Sequence, residues 1–368
     1  MLSPKIFFTL FSFTLFLSSP LQGSAKADSL LQTLTLDEKI GQMILVYHSP
    51  VSFLLKHHIG GVLIMSNMLK KGDRLKNQID SIQTLSKIKL FVSIDQEGGR
   101  INRLQALPQW KSVPSAQSLK TWNHDSITQL SYRIGMELNK YSINMNLAPV
   151  LDPNLNHLGQ PTFLEEWERS FGRNASDILP PAYSFIKGFH QAHIACISKH
   201  FPGYDAVENS DLAISISKAE SSFILQNIET FTQSFPKVEG VMMSSILYKN
   251  LSDLPAVLSP QVVSLARKNN PHLMVMTDDL WGTALRSFAY PQQKIHPVKY
   301  PDKAFIQLVT QAFLAGNDVL MITFPQKIPL IQKAIKQAFK QDPHAIQLVN
   351  NACRRILYAK EKMGLLKN

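Results

Sequence analysis

The chain has 368 residues, 45% of them hydrophobic, enough to bury a large core, and a single α/β barrel commonly runs to this length as one domain. Its formal net charge is +11, but the basic residues are scattered through helical segments and the C-terminus with no basic–aromatic repeat, which argues against a nucleic-acid partner. The two cysteines, Cys196 and Cys353, have no metal-ligand spacing and read as small core residues.

At the N-terminus, Lys5 precedes an uninterrupted apolar block, residues 6–17, and the next charge is Lys26. Small residues suited to cleavage follow at Ser24-Ala25 and Ala25-Lys26-Ala27. This is the pattern of a secretory signal peptide over residues 1–27, with an apolar core shorter than the ~20 residues a spanning helix needs. The alternative is an uncleaved interfacial anchor; no cysteine lies near the cleavage region to carry a lipid. The mature domain, residues 28–368, is expected to be secreted or periplasmic, monomeric, and without stable membrane insertion once the signal is removed.

Thr35-Leu-Asp-Glu38 has the form of a capping box opening a short helix. Strands are expected at residues 43–47, 60–65, 90–95, 144–150, 194–199, 240–245, 273–277 and 318–323, each a short apolar run bounded by turn residues. Between them, helical spacing covers residues 75–85, with Lys76 and Asp80 outward, and residues 126–141. Ser176-Asp177 caps a helix that runs through Phe189, and residues 304–315 form a helix ended by Gly316. Eight alternating strand–helix units favour a closed (β/α)8 TIM-type barrel over an open doubly wound sheet. No linker, repeat or low-complexity segment marks a second domain.

Three of these strands end in ionisable groups. Lys199-His200-Phe-Pro-Gly203 closes the fifth strand, Asp95-Gln-Glu-Gly-Gly-Arg100 the third, and Thr277-Asp-Asp-Leu280 the seventh. One Lys-His pair reads as a core strand with a polar end, but three such tips meet at the C-terminal edge of a parallel sheet, where active sites are built. Side-chain alternation turns Asp279 away from Asp278, so Asp279 is expected to cap the following helix. Gly98 and Gly99 permit a tight turn, and Glu97 beside them reads as structural. Asp152 is either a ring-facing carboxylate or a cap before Pro153.

These motifs, with Ala148-Pro-Val-Leu-Asp152 and Arg169-Ser-Phe-Gly172, stand in the order seen in family 3 glycoside hydrolases. The chain most closely resembles their single-domain β-N-acetylhexosaminidase (NagZ-like) branch, from about Leu34 to Lys360. The resemblance implies a retaining exo-β-N-acetylglucosaminidase acting on an amino-sugar substrate such as a peptidoglycan fragment, with no metal or organic cofactor. It also implies Asp278 as the nucleophile, with Asp95, Arg103, Arg169, Lys199 and His200 binding the sugar ring. A glycosidase needs a carboxylate on one side of the anomeric carbon and a proton donor on the other.

The chain departs from the family after Gly203. Where relatives place the acid/base His and its partner Asp, this chain has Asp211 and Asn209, and a further His of the sixth strand is Ser245. Asp211 is the candidate replacement donor, with Glu208 and Asp205 on the same loop as alternatives. The other readings are a catalytically impaired amino-sugar-binding protein of the same fold and a β-glycoside phosphorylase.

Overall fold

The computed structural model describes residues 24–210, 212–291 and 300–366. Eight parallel strands alternate with helices: β1 (Ile44–Tyr47), β2 (Gly61–Ile64), β3 (Phe91–Ile94), β4 (Met145–Asn146), β5 (Ala195–Phe201), β6 (Gly240–Met243), β7 (Met274–Met276) and β8 (Leu320–Ile322). Neighbours in sequence pair in space from β1 to β7, and β8 pairs with β1, as Ile44 opposite Leu320. The ring meets again between β7 and β8 at a single bridge, Met276 to Val319, helped by Asp318 N–H donating to the Val275 carbonyl at 2.7 Å. The strands are apolar on both faces because one face packs the barrel interior and the other meets the helices.

The outer helices are α1 (Ala25–Gln32), α2 (Leu36–Gln42), α3 (Asp73–Leu85), α4 (His124–Asn139), α5 (Ala175–Gln191), α6 (Ser221–Ser234), α7 (Pro260–Arg267), α8 (Asp302–Leu314), α9 (Ile328–Gln341) and α10 (Ala345–Lys362). The capping box forms as expected: Thr35 accepts from the Glu38 N–H, and the Glu38 carboxylate accepts from the Thr35 N–H at 2.7 Å. α5 starts two residues earlier than a Ser176 cap would have it, because Asn174 is the cap and accepts from the Asp177 N–H. α4 and α5 pack closely enough that a Cβ on Gly188 would lie 2.3 Å from the Thr128 carbonyl oxygen, so only glycine fits there. Cys196 and Cys353 are both buried and unbridged, as core residues.

α1 lies against α10 and closes a second small core of Ala27, Leu31, Leu34, Ile88, Cys353, Leu357 and Leu366. Among the described residues no helix is long and apolar enough to cross a membrane. Residues 1–23, which contain the expected signal core, lie outside the described residues.

Candidate active site

Asp95 and Glu97 leave β3 two residues apart, so both face the barrel mouth while Gln96 between them turns inward. Each polar group of Gln96 is used there. Its N–H donates to Asn146 Oδ1 (2.9 Å), its carbonyl accepts from Asn146 Nδ2 (3.0 Å), and its amide side chain pairs with Asn102 Oδ1 and the Leu104 N–H, each at 3.0 Å. Gly98 and Gly99 then reverse the chain at φ of +98° and +55°, and a Cβ on Gly98 would lie 2.2 Å from the Pro114 carbonyl oxygen. The turn reading of the glycines holds, and Glu97, which read as structural, also lines the mouth.

β5 delivers Lys199 and His200 at consecutive positions. Its register with β6 passes from Lys199 opposite Met242 to Phe201 opposite Met243, so His200 drops out of the ladder. That irregularity suspends strand alternation, and both side chains line one cavity. The Lys199 ammonium lies 2.8 Å from Asp95 Oδ1 and 2.7 Å from Glu97 Oε1. Arg169 forks onto Glu97, with Nε 2.8 Å from Oε2 and Nη2 2.9 Å from Oε1. Arg103 Nη2 stands 3.8 Å from Asp95 Oδ2. Burial alone would raise the Glu97 pKa, but the Arg169 and Lys199 charges outweigh it and hold the carboxyl well below the usual range. Burial opposes the Lys199 charge, and Asp95 and Glu97 reverse that effect and raise its pKa above an ordinary lysine.

Asp152 is neither of the two things expected of it. It is fully buried and accepts from the His200 N–H with both oxygens at 3.0 Å, from the Tyr204 N–H at 2.7 Å, and faces His200 Nδ1 at 2.7 Å. A carboxylate at Nδ1 keeps the proton on that nitrogen and leaves Nε2 as the ring's remaining polar atom.

At the β7 tip, Asp278 and Asp279 both line the cavity. The Asp278 carboxylate accepts from the Asp279 N–H at 2.7 Å. Asp279 does not cap the next helix, the short Thr283–Ala289, whose N-cap is Gly282. It binds β8 instead: its oxygens accept from Thr323 Oγ1 (2.5 Å), the Thr323 N–H (2.9 Å) and the Trp281 N–H (3.0 Å). Alternation failed as a guide because the strand has ended and a turn places both carboxyls. Burial pushes the Asp279 carboxyl up to about 6, with hydrogen bonds from Thr323 and Trp281 opposing.

The cavity holds about 220 Å³ and is lined by Asp95, Arg103, Arg169, Lys199, His200 and Asp278, so six expected site residues converge. The loop after β5 adds Tyr204, Asn209 and Ser210. Asp205 is buried away from the cavity lining: its Oδ2 accepts from Ser217 Oγ at 2.7 Å, and burial pushes its carboxyl up to about 6. Glu208 is exposed, outside the cavity lining, and Ser245 is buried outside it too. Asp211 lies outside the described residues. Tyr47, Met65, Phe163 and Thr323 also line the cavity and carried no signal in the sequence, since each is an ordinary strand or loop residue until the barrel closes.

Residues 35–359 match the glycosyl hydrolase family 3 N terminal domain. A beta-hexosaminidase of Mannheimia succiniciproducens is 30% identical over 241 residues, 61% of this chain and 65% of that protein. One from Idiomarina loihiensis is 26% identical over 211 residues, 55% of this chain and 61% of that protein. These alignments span less than two-thirds of either relative's length. The crystal structure of a beta-N-acetylhexosaminidase from Beutenbergia cavernae superposes with a TM-score of 0.73 at 22% identity, covering 89% of this chain and 99% of that one, a likeness of fold. With the family match running through all eight strands, the chain belongs to glycosyl hydrolase family 3, and residues 35–359 are its N-terminal-type TIM-barrel domain.

Proposed function

We propose that this chain is a retaining exo-β-N-acetylglucosaminidase that hydrolyses terminal β-N-acetylglucosaminides, peptidoglycan fragments among them. One observation carries the reading: Asp278 shares a sugar-sized cavity with forked donors and a two-oxygen acceptor, Arg103, Arg169, Lys199, His200 and Asp95. The names of the relatives support the amino sugar.

In this reading Asp278 attacks the anomeric carbon as the glycosidic C–O bond breaks, and the departing oxygen takes a proton from a carboxylic acid. Water, losing its proton to that same group, then releases the sugar from Asp278 with retention. Asp95 accepts from ring hydroxyls and the cations donate to them. The neighbouring ion pairs fix these groups in advance, so little ordering remains for the substrate to bring about. The donor role goes to Asp211, which follows cavity-lining Ser210, since Asp205 is tied to Ser217 and Glu208 is exposed.

The test is turnover of an aryl β-N-acetylglucosaminide by the purified chain. Release of free sugar without added phosphate is the expected result. An absolute need for phosphate would move the reading to a phosphorylase, and binding of N-acetylglucosamine by calorimetry without turnover would move it to a binding protein. For the donor, Asp211→Ala should cripple hydrolysis of a poor leaving group and largely spare an activated one. Equal loss on both removes Asp211 from that role.

Export fits the apolar 6–17 block and is part of the proposal. The expected boundary after residue 27 would cut into α1, which starts at Ala25 with Ser24 as its cap and buries Ala27, so the proposed cleavage moves to just before Ser24. An intact mass that still includes Met1 in the fractionated protein would end this reading.

A further inference from the structure

The segment from Tyr204 to Ser217 forms one wall of the cavity through Tyr204, Asn209 and Ser210, and its two ends meet. At its start, the Tyr204 N–H is held by Asp152, and the Ala206 carbonyl accepts from the Phe163 N–H at 3.0 Å. At its finish, Ile216–Ser217 pairs with Leu247–Tyr248 in a two-stranded ladder, and the Lys249 N–H donates to the Ser217 carbonyl at 3.1 Å. Within the segment Asp205 joins start to finish, its Oδ2 accepting from Ser217 Oγ at 2.7 Å, and from outside it Tyr248, opposite Ser217 in the ladder, donates to the Gly203 carbonyl at 2.7 Å. Ser217 Oγ in turn accepts from the Ala219 N–H at 3.3 Å.

We propose that Asp205 is a positioning residue: by clamping Ser217 it fixes both ends of this segment and so holds Tyr204, Asn209 and Ser210 against the sugar pocket. Closing the ends of a short segment removes most of the conformations its middle could take. Both partners of the clamp are anchored, Asp205 by burial and Ser217 by its place in the ladder. A second observation argues for a role beyond packing. Among the described residues Asp205 Oδ1 is buried without a hydrogen-bond partner, a costly state that an apolar side chain would avoid. The kinetic consequence rests on the glycosidase reading above; the structural consequence does not.

The experiment compares wild type with Ser217→Ala, Asp205→Ala and Asp205→Asn by hydrogen exchange and by kinetics on an aryl β-N-acetylglucosaminide. Exchange of amides in 206–215 should rise about tenfold in Ser217→Ala and Asp205→Ala, while the 96–102 turn stays protected. kcat should fall about tenfold in both with KM changed less than about twofold, because the Asp95, Arg169 and Lys199 wall is untouched. Asp205→Asn keeps an oxygen for Ser217 and should restore both readouts. Unchanged exchange in Ser217→Ala overturns the clamp. So does a loss confined to the two Asp205 variants, which would make its carboxyl a chemical group. A wild type without turnover defeats the glycosidase reading alone, and exchange still decides the clamp. If Asp205→Ala fails to fold, fast exchange in the 96–102 turn reveals it, and the milder Ser217→Ala decides.

Discussion

The two ends of the barrel bury charge in different ways. At the mouth, Asp95, Glu97, Lys199 and Arg169 pair with one another yet all border the 220 Å³ cavity. At the foot, Asp318 precedes β8 and accepts from Arg267 Nη2 (2.6 Å), Arg355 Nη2 (2.8 Å) and the Val275 N–H (2.9 Å), filling its acceptor sites with protein donors. Lys360 is buried there too, its ammonium donating to Gln42 Oε1 (2.7 Å) and the Gly60 carbonyl (2.9 Å), with no carboxylate partner among the described residues. Buried charge alone therefore marks no site. Charge marks one when it lies at the C-terminal ends of the strands and borders a space that another molecule can fill.

The sharpest way to break this distinction is at Asp278. Asp278→Asn should lower kcat by about 10³-fold or more while leaving the melting temperature nearly unchanged, because it conserves volume and removes the oxygen proposed to attack. Near-wild-type kcat would remove Asp278 from the nucleophile's place. The complementary substitution is at the foot. Asp318→Ala leaves two buried guanidinium groups without their carboxylate and should cost about 3–5 kcal/mol of stability, read by urea denaturation. KM of the protein that remains folded should not move; a changed KM would mean the two ends are coupled.

A smaller effect belongs to the groups proposed to face the sugar. Arg169→Ala and Asp95→Ala should each weaken binding of a competitive amino-sugar inhibitor by about 1–3 kcal/mol, the scale of a charge-assisted hydrogen bond left unmade. Arg169→Ala also frees half of Glu97's pairing, so Lys199 should swing toward Glu97 and blunt the loss. Unchanged affinity in both variants would place the sugar elsewhere.

Much of this was legible in the sequence because barrel strands are buried on both faces and announce themselves as apolar runs between turn residues. The tips at Asp95, Lys199-His200 and Asp278 were legible for the same reason, as charges that end such runs. What stayed hidden depends on closure in three dimensions. Asp152 reads as a loop carboxylate until β4 and β5 come together and give it three donors from His200 and Tyr204. Asp279 reads as a helix cap until β7 meets β8 and Thr323 offers two donors. Asp205 looked like a candidate donor because sequence cannot say which carboxyl of a loop turns inward; Ser217, twelve residues on, decides it.

The smallest expected effect tests whether the foot can hold charge without a counter-charge. Burial pushes the Lys360 ammonium down to about 7, against an unfolded lysine near ~10.4. Its neighbours are neutral acceptors, the Phe91 ring at 4.8 Å, and the Cys353 thiol on its own helix, which burial pushes up to about 12. Below pH 7 both folded and unfolded chains carry the proton, so the burial penalty is fully present and stability does not vary with this group. Between about 7 and ~10 the unfolded chain holds a proton that the folded chain has lost, so stability rises with pH, by at most ~1.4 kcal/mol per unit for one proton. Lys360→Met keeps the stem's packing and removes the titration. Urea denaturation of both proteins from pH 6 to pH 9 should show wild type gaining on the variant above pH 7, other groups cancelling in the difference. A difference that stays flat would mean that Gln42 and Gly60 hold the ammonium as firmly as carboxylates hold Lys199 at the mouth, and the contrast between the two ends would then lie in access alone.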